Sequence, residues 1–300
     1  MKNDVIAENK YNGLVSVVIT TYKRNPKFLK EAIESVINQT YNDIEIIIVD
    51  DNGVRSEYQK ITEKLIHEYK NIKYIANITN KGAQYSRNIG ILQSNGEFVA
   101  FLDDDDVWKA TKIEEQVQCF EDDDVGLVYC NGDIIHGDSV VPVASYHKDS
   151  TFKCLATYDD LLYDDCIGTT TQALVRRTCF ASVGIFDPKL PARQDYEMWI
   201  RISQKWKAVG VPNHLFCHRI HDNEQISKDI TKNIKGNKII LDKYRADYST
   251  NKRAKAKRYL RIAAVYHIGK KRIQMCRYIL MAFFTSARTT IYVLMNNNVR

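Results

Sequence analysis

Proline and glycine are scarce, at 5 and 13 of 300 residues, which leaves little material for a long flexible linker. Cysteine occurs seven times, but the scattered, odd-numbered set at 119, 130, 154, 166, 179, 217 and 276 contains no CxxC pair. Neither a zinc site nor a disulfide framework follows from it, and free thiols in a reducing cytoplasm are the simple reading. The first residues, MKND, lack the apolar core and small-residue cleavage site of a signal peptide. The longest apolar run of the C-terminal region, Tyr278–Ala287, is interrupted at Arg288, well short of the about 20 residues that span a bilayer. Internal repeats and low-complexity tracts are absent. What remains, with 44% hydrophobic and 27% charged residues, is the composition of an ordinary folded protein.

Acidic residues are scarce at one end. Residues 228–300 hold 18 Lys and Arg against 3 acids, a net of +15. Of the totals of 43 basic and 37 acidic residues, 25 and 34 then fall in 1–227, a net of −9. Such polarity suggests a tail facing an anionic partner, a membrane surface or a nucleic acid; a well-solvated basic helical face is the plainer alternative.

The first 130 residues alternate strand and helix. The β-branched run Leu14–Thr20 reads as a buried strand, followed by an N-cap and first-turn proline at Asn25-Pro26 and by apolar residues at helical spacing to Ile37. Further strands are expected at Ile44–Val49, Ile72–Ala76, Phe98–Leu102 and Val125–Tyr129. Helices should lie between them, around 58–66, 83–92 and 109–120. This order predicts an open, mostly parallel α/β sheet with helices on both faces. Ligands then bind beyond the carboxyl ends of the strands. Three strand ends, Thr20-Thr21-Tyr22, Asp50-Asp51 and Asp103–Asp106, should therefore meet at one edge. Residues 14–130 form the expected nucleotide-binding half and 131–227 an acceptor-facing half of one domain, with a basic helical extension over 228–300.

The run FLDDDD sets four carboxylates directly after an apolar strand. Extended-chain alternation would place Asp103 and Asp105 on one face. Like charges so close raise one another's pKa unless a cation intervenes, and a hard divalent ion suits carboxylate oxygens while leaving room for phosphate oxygens. The other acidic run, Glu121–Asp124, has no strand feeding it and reads as a surface turn.

Five ordered blocks, VSVVITTYKRN, IIIVDDNG, NKGAQYSRNIGI, GEFVAFLDDDDVW and GIFDPKLPARQDYEMWIR, together resemble the inverting family-2 glycosyltransferases of GT-A fold, over about Val15–Ser227. The resemblance implies transfer of one sugar from a nucleotide-diphosphate sugar, a UDP-sugar being favoured, to a hydroxyl of a glycan or glycolipid acceptor. It also implies the setting, assembly of a surface polysaccharide. By its pattern Thr20 and Tyr22 line the nucleotide pocket, Asp50 reads the base or ribose, and Arg87 helps hold the nucleotide. Asp103 and Asp104 meet the ribose and nucleotide, while Asp105 ligates Mn²⁺ or Mg²⁺ with His221 closing over the complex. Asp195 of RQDYEMW matches the catalytic base, with Glu197 in reserve; Gln194 departs from the Glu that family members often carry there. Processive members usually carry Q-x-x-R-W and transmembrane helices, and their lack here favours single addition. The basic tail would dock a cytoplasmic enzyme on an anionic membrane face. Nucleic acid is disfavoured as its partner because no nucleic-acid module accompanies the charge. Two rivals remain: a nucleotidyltransferase, which would want a glycine-rich loop where TTYKRN stands, and a non-catalytic nucleotide-binding partner.

Overall fold

The structure, a computed structural model, describes residues 11–220 and 229–296. The chain forms two compact units that do not follow chain order. The first comprises Met1–Ala156, Ile167–Phe186 and Arg201–Asp222; the second comprises Thr157–Cys166, Asp187–Ile200 and Asn223–Arg300.

The first unit is built on β1 (Tyr11–Thr21), flanked in parallel by β2 (Ile44–Asp50) and β4 (Gly96–Asp103), with β3 (Ile72–Ala76) parallel to β2. Val15, Val17, Val18 and Ile19 of β1 are buried. Each such aliphatic side chain contributes about 1.5–3 kcal/mol through burial. Beyond β4 the sheet becomes mixed. β9 (Ala173–Arg176) runs antiparallel to both β4 and β6 (Val125–His136), β10 (Lys207–Ile220) is parallel to β6, and β5 (Val107–Trp108) is antiparallel to β10. Among the described residues the order is β3-β2-β1-β4-β9-β6-β10-β5, with the short β7 (Ala144–Ser145) pairing with β6 and β8 (Leu155–Ala156) pairing with β10. The parallel expectation thus holds for the first four strands, and later antiparallel strands complete the sheet. The helix expected over 109–120 is shorter, Lys112–Val117 followed by a 3-10 turn to Phe120.

The helices that position the functional edge start where local chemistry dictates. Asn25 caps the helix Pro26–Ile37 by accepting from the Lys27 N–H, with Phe28, Leu29, Ala32, Ile33 and Val36 turned inward. In the helix Ala83–Gln93, Gly90 lies so close to β1 that a Cβ would meet Val18 at 2.2 Å. Gly82, just before that helix, has φ +90°, a conformation other residues adopt only with strain.

The second unit is helical: Ile230–Lys243, Arg245–Thr250, Lys252–Ile268, Arg272–Thr285 and Ala287–Met295. Part of the basic tail is turned inward. Arg258 is buried, bonded to Asn237 Oδ1 at 3.0 Å, to the Tyr248 hydroxyl at 3.2 Å and to the Tyr196 hydroxyl. Lys257 and Arg261 both pair with Asp164. The basic cluster 252–258 is therefore only partly the solvated or partner-facing surface that its composition suggests.

Lys112 is an exception to the rule that buried charge finds an opposite charge. It is fully buried, its Nζ lies 4.0 Å from the Trp108 ring centroid, and it donates to Gln116 Oε1 at 2.6 Å. Burial pulls its ammonium down from 10.5 to about 8. The unfolded chain then holds more protons than the folded chain between those values, so this group makes stability rise with pH across that window. Lys112→Met removes the titration. The stability difference between variant and wild type, measured by urea unfolding, should shift in favour of wild type by roughly 3 kcal/mol between pH 7 and pH 11. A difference independent of pH would assign the compensation to another group.

Candidate functional site

Register brings the three strand ends together. Thr20 stands opposite Asp103, and Thr21 opposite Asp50. The nucleotide-binding candidates Thr20, Tyr22, Asp50, Arg87, Asp103 and Asp104 and the metal candidate Asp105 thus belong to one edge of one unit.

At the end of β2 two adjacent carboxylates have different tasks. Asp50 is buried, accepting from the Asn52 N–H at 2.8 Å and the Tyr74 hydroxyl at 2.7 Å. Burial raises its pKa against those hydrogen bonds. Asp51 instead secures the next loop: it accepts from Asn77 Nδ2 at 2.8 Å, from the Lys81 N–H at 2.8 Å and from the Gly82 N–H at 2.7 Å. The segment NKGAQYSRNIGI gains a physical account from these contacts. Gly82 supplies the positive φ, and Arg87 reaches Asp103 Oδ1 at 2.6 Å. Asn88 clamps the backbone of Phe186 through both its N–H and C=O, and Gly90 lets the helix approach β1.

The acidic run does not stay extended. β4 ends at Asp103 and the chain turns, with the Asp106 N–H donating to the Asp103 carbonyl at 3.1 Å. Alternation therefore stops at Asp103, and three different cations hold the four carboxylates. Asp103 pairs with Arg87. Asp104 and Asp105 share Arg24, at 2.7 and 2.9 Å, and the Tyr22 N–H adds a bond to Asp104 at 3.3 Å. Asp106 is fully buried and accepts from the Thr171 hydroxyl at 2.7 Å and the Arg219 N–H at 2.9 Å, with His218 Nδ1 at 3.1 Å.

The electrostatics follow. Burial, then the neighbouring Asp106 and Asp104, push Asp105 up to about 8. Asp104 is raised mainly by burial. For Asp106 burial acts upward, but His218 and the donated hydrogen bonds outweigh it and the pKa falls. His218 responds oppositely: burial lowers it, Asp106 outweighs this, and the ring rises to about 9. Arg219, also buried, donates to the Asp105 carbonyl at 2.8 Å, the Gly137 carbonyl at 2.6 Å and Glu31 Oε2 at 2.6 Å. It fastens the acidic turn to β10 and the first helix.

Arg24, Thr171, His218 and Arg219 were not singled out by sequence reasoning. Arg24 carried a signal, a cation two residues after Tyr22 in the same strand-end loop. Thr171 and Arg219 carried none, since only the mixed half of the sheet brings β10 and the segment before β9 beside Asp106. The histidine singled out in this region, His221, lies outside the described residues.

The donor set suits a hard cation. The half-buried carboxylate of Asp105 has been raised by burial first and then by its like-charged neighbours, and a divalent ion relieves the second of these. Among the described residues no group of three or more His, Cys, Asp or Glu side chains is placed to hold a metal ion, so any ion here would take the remainder of its oxygens from phosphate and water.

Asp195 belongs to the second unit, in the first turn of the helix Gln194–Ser203, and accepts from the Tyr196 N–H at 2.8 Å. Its reserve, Glu197, is fully buried, bound to the Tyr244 hydroxyl at 3.0 Å and to Lys243 at 2.5 Å. Glu197 is thereby occupied as a structural group. Glu121–Asp124 is an exposed turn held by Lys207, as expected.

Known proteins resemble this chain in sequence and in fold. The model of the family described as "Glycosyl transferase family 2" matches residues 16–184. The Escherichia coli UDP-Glc:alpha-D-GlcNAc-diphosphoundecaprenol beta-1,3-glucosyltransferase WfgD is 30% identical over 223 residues, 74% of this chain and 83% of its own. TuaG of Bacillus subtilis, a glycosyltransferase named for teichuronic acid biosynthesis, is 29% identical over 220 residues, 71% of this chain and 81% of its own. In fold the chain is similar to the Pyrobaculum calidifontis mannosyltransferase PcManGT, solved with GDP-Man and Mn²⁺, at a TM-score of 0.59 and 14% identity over 97% of this chain and 81% of that one. With the strand-end carboxylates in place and more than half of its length matched, the chain belongs to glycosyl transferase family 2 and is a glycosyltransferase.

Proposed function

We propose that this enzyme transfers a single sugar from a nucleotide-diphosphate donor, most readily a UDP-sugar, to a glycan or glycolipid hydroxyl, with inversion, during assembly of a surface polysaccharide. The observation that carries the donor site is the register that sets Thr20 against Asp103 and Thr21 against Asp50. Asp50 serves base or ribose, its carboxylate oriented by Tyr74 and the Asn52 N–H and suited to accept a ring N–H or a sugar hydroxyl. Thr20 and Tyr22 line the pocket beside it, and Arg87 with Asp103 and Asp104 completes the nucleotide side. Asp105, assisted by His221, would hold Mn²⁺ or Mg²⁺, which supplies Lewis-acid stabilisation of charge on the departing diphosphate. WfgD is named for a UDP-sugar and a diphosphate-lipid acceptor, and PcManGT was solved with Mn²⁺; these relatives support the choice of donor, acceptor and ion.

In the transfer itself the acceptor O–H proton passes to the Asp195 carboxylate as the oxygen bonds to the anomeric carbon. The bond from that carbon to the diphosphate oxygen breaks on the opposite side, and its electron pair leaves with the nucleotide. A hydroxyl is a poor nucleophile at neutral pH, so the base is needed. The loop TTYKRN lacks the glycine-rich phosphate cradle a nucleotidyltransferase would use, and the family match further disfavours that rival and the non-catalytic one.

The acceptor's setting is an anionic membrane face. No described helix is long and apolar enough to cross a bilayer. The helix Arg272–Thr285 nevertheless has a single buried residue, Ala282, and leaves Ile273 and Phe284 83% and 84% exposed. No acidic residue follows Asp247. Apolar side chains among unopposed Arg and Lys suit a surface of anionic lipid.

Three measurements test this reading. In thermal unfolding with a panel of nucleotides and nucleotide sugars, one nucleotide should stabilise the wild type in a Mn²⁺-dependent manner and leave Asp105→Ala unshifted; no shift by any nucleotide at millimolar concentration sinks the donor site. Asp195→Asn should lower kcat by roughly a hundredfold to ten-thousandfold while nucleotide stabilisation persists, and near-normal turnover would remove Asp195 as the base. The protein should sediment with vesicles containing anionic lipid at low salt and less so with Ile273→Ser/Phe284→Ser. Failure to sediment at all overturns the membrane assignment.

A further inference from the structure

Arg24 occupies the place where the acidic turn needs positive charge. Its Nε lies 2.7 Å from Asp104 Oδ1 and its Nη1 2.9 Å from Asp105 Oδ2, so one planar guanidinium spans two neighbouring carboxylates. The other two carboxylates of the run have different cations: Arg87 holds Asp103, and His218 with the Arg219 N–H holds Asp106. The backbone around Arg24 is pinned on both sides. Lys23 sits at φ 48° with its N–H bound to Asn52 Oδ1 at 2.6 Å, and Asn25 is the N-cap of the first helix. The side chain itself stays 28% exposed at the rim of the site. It is thus a partly exposed side chain on a pinned stretch of backbone.

Resting on the donor-site reading above, we propose that Arg24 is an internal counter-cation which a divalent ion must displace from Asp105, so that ion and nucleotide diphosphate bind as a linked pair. In the ion-free protein the guanidinium satisfies two adjacent carboxylates, one buried and one half-buried, that would otherwise repel each other. An incoming divalent ion competes for the same Asp105 oxygens, and alone it must leave Arg24 without one of its two partners. A nucleotide diphosphate changes that balance, because a guanidinium fork fits phosphate oxygens as well as it fits carboxylates. Arg24 then exchanges one anion for another while the ion takes its former place. The device would keep the site from filling with ion before donor is present.

Mn²⁺ titration followed by the electron paramagnetic resonance of free Mn²⁺ tests this on nucleotide-free wild type, Arg24→Met and Arg24→Lys, each repeated with UDP. Loss of the competitor should tighten Mn²⁺ binding to nucleotide-free Arg24→Met roughly tenfold or more, the worth of a charge-assisted hydrogen bond. UDP should then improve Mn²⁺ affinity less in this variant than in wild type. Arg24→Lys, whose point charge cannot span both carboxylates, should bind Mn²⁺ more tightly than wild type by a smaller factor, and it decides the matter if Arg24→Met does not fold. Variants that bind Mn²⁺ no better than wild type overturn the exchange and leave the donor site standing. No Mn²⁺ binding by any of the three proteins, with or without UDP, overturns the donor-site reading itself.

Discussion

Four consecutive carboxylates at the end of a buried strand cannot coexist without cations, and the architecture of the first unit is arranged around that need. Asp103 to Asp106 are matched from three places in the chain: Arg87 from the helix after the glycine turn holds Asp103, Arg24 from the first strand-end loop holds Asp104 and Asp105, and His218 with the Arg219 N–H from β10 holds Asp106. Taking an unpaired carboxylate out of water costs several kcal/mol, so the fold brings each of these elements to the same edge. Arg219 carries the arrangement further. One buried guanidinium ties the acidic turn, the Gly137 carbonyl and Glu31 of the first helix together.

Within that frame the charges are unequal. Asp106, bonded on all sides, is held below the usual carboxylate range and acts as a tether. Asp105, which shares a rim arginine with Asp104, is instead pushed up to about 8 by burial and by its neighbours. One aspartate run thus supplies both an anchor and a place for exchangeable positive charge. The neighbouring pair at β2 repeats the division of labour, with Asp51 committed to the 77–82 loop and Asp50 set against Tyr74.

The second unit shows the same economy with the sign reversed. Its basic sequence is partly consumed inside the unit, where Arg258 is enclosed by Tyr196, Tyr248 and Asn237 and where Asp164 takes Lys257 and Arg261. The charge left outside sits among exposed Ile273, Leu280 and Phe284. Family membership rests on the match across residues 16–184. That match stops before the C-terminal helices.

Sequence alone determined the parallel strands and their ends, because a fully buried strand must be an unbroken apolar run. Leu14–Thr20, Ile44–Val49 and Phe98–Leu102 can be little else. It also determined which strand ends carry chemistry, since carboxylates and a Thr-Thr-Tyr run directly after such strands stand out against their surroundings. Gly82 and Gly90 were legible as a motif, but the positive φ and the contact with Val18 that explain them were not. Tertiary structure decided the rest. Whether Asp103 and Asp105 share a face depends on where the strand stops, and the turn at Asp103 is closed by a backbone hydrogen bond and by Arg219, more than a hundred residues away. Which basic residues are spent internally and which remain outside is likewise unreadable from composition, because burial of an Arg or Lys depends on partners that only folding brings within reach.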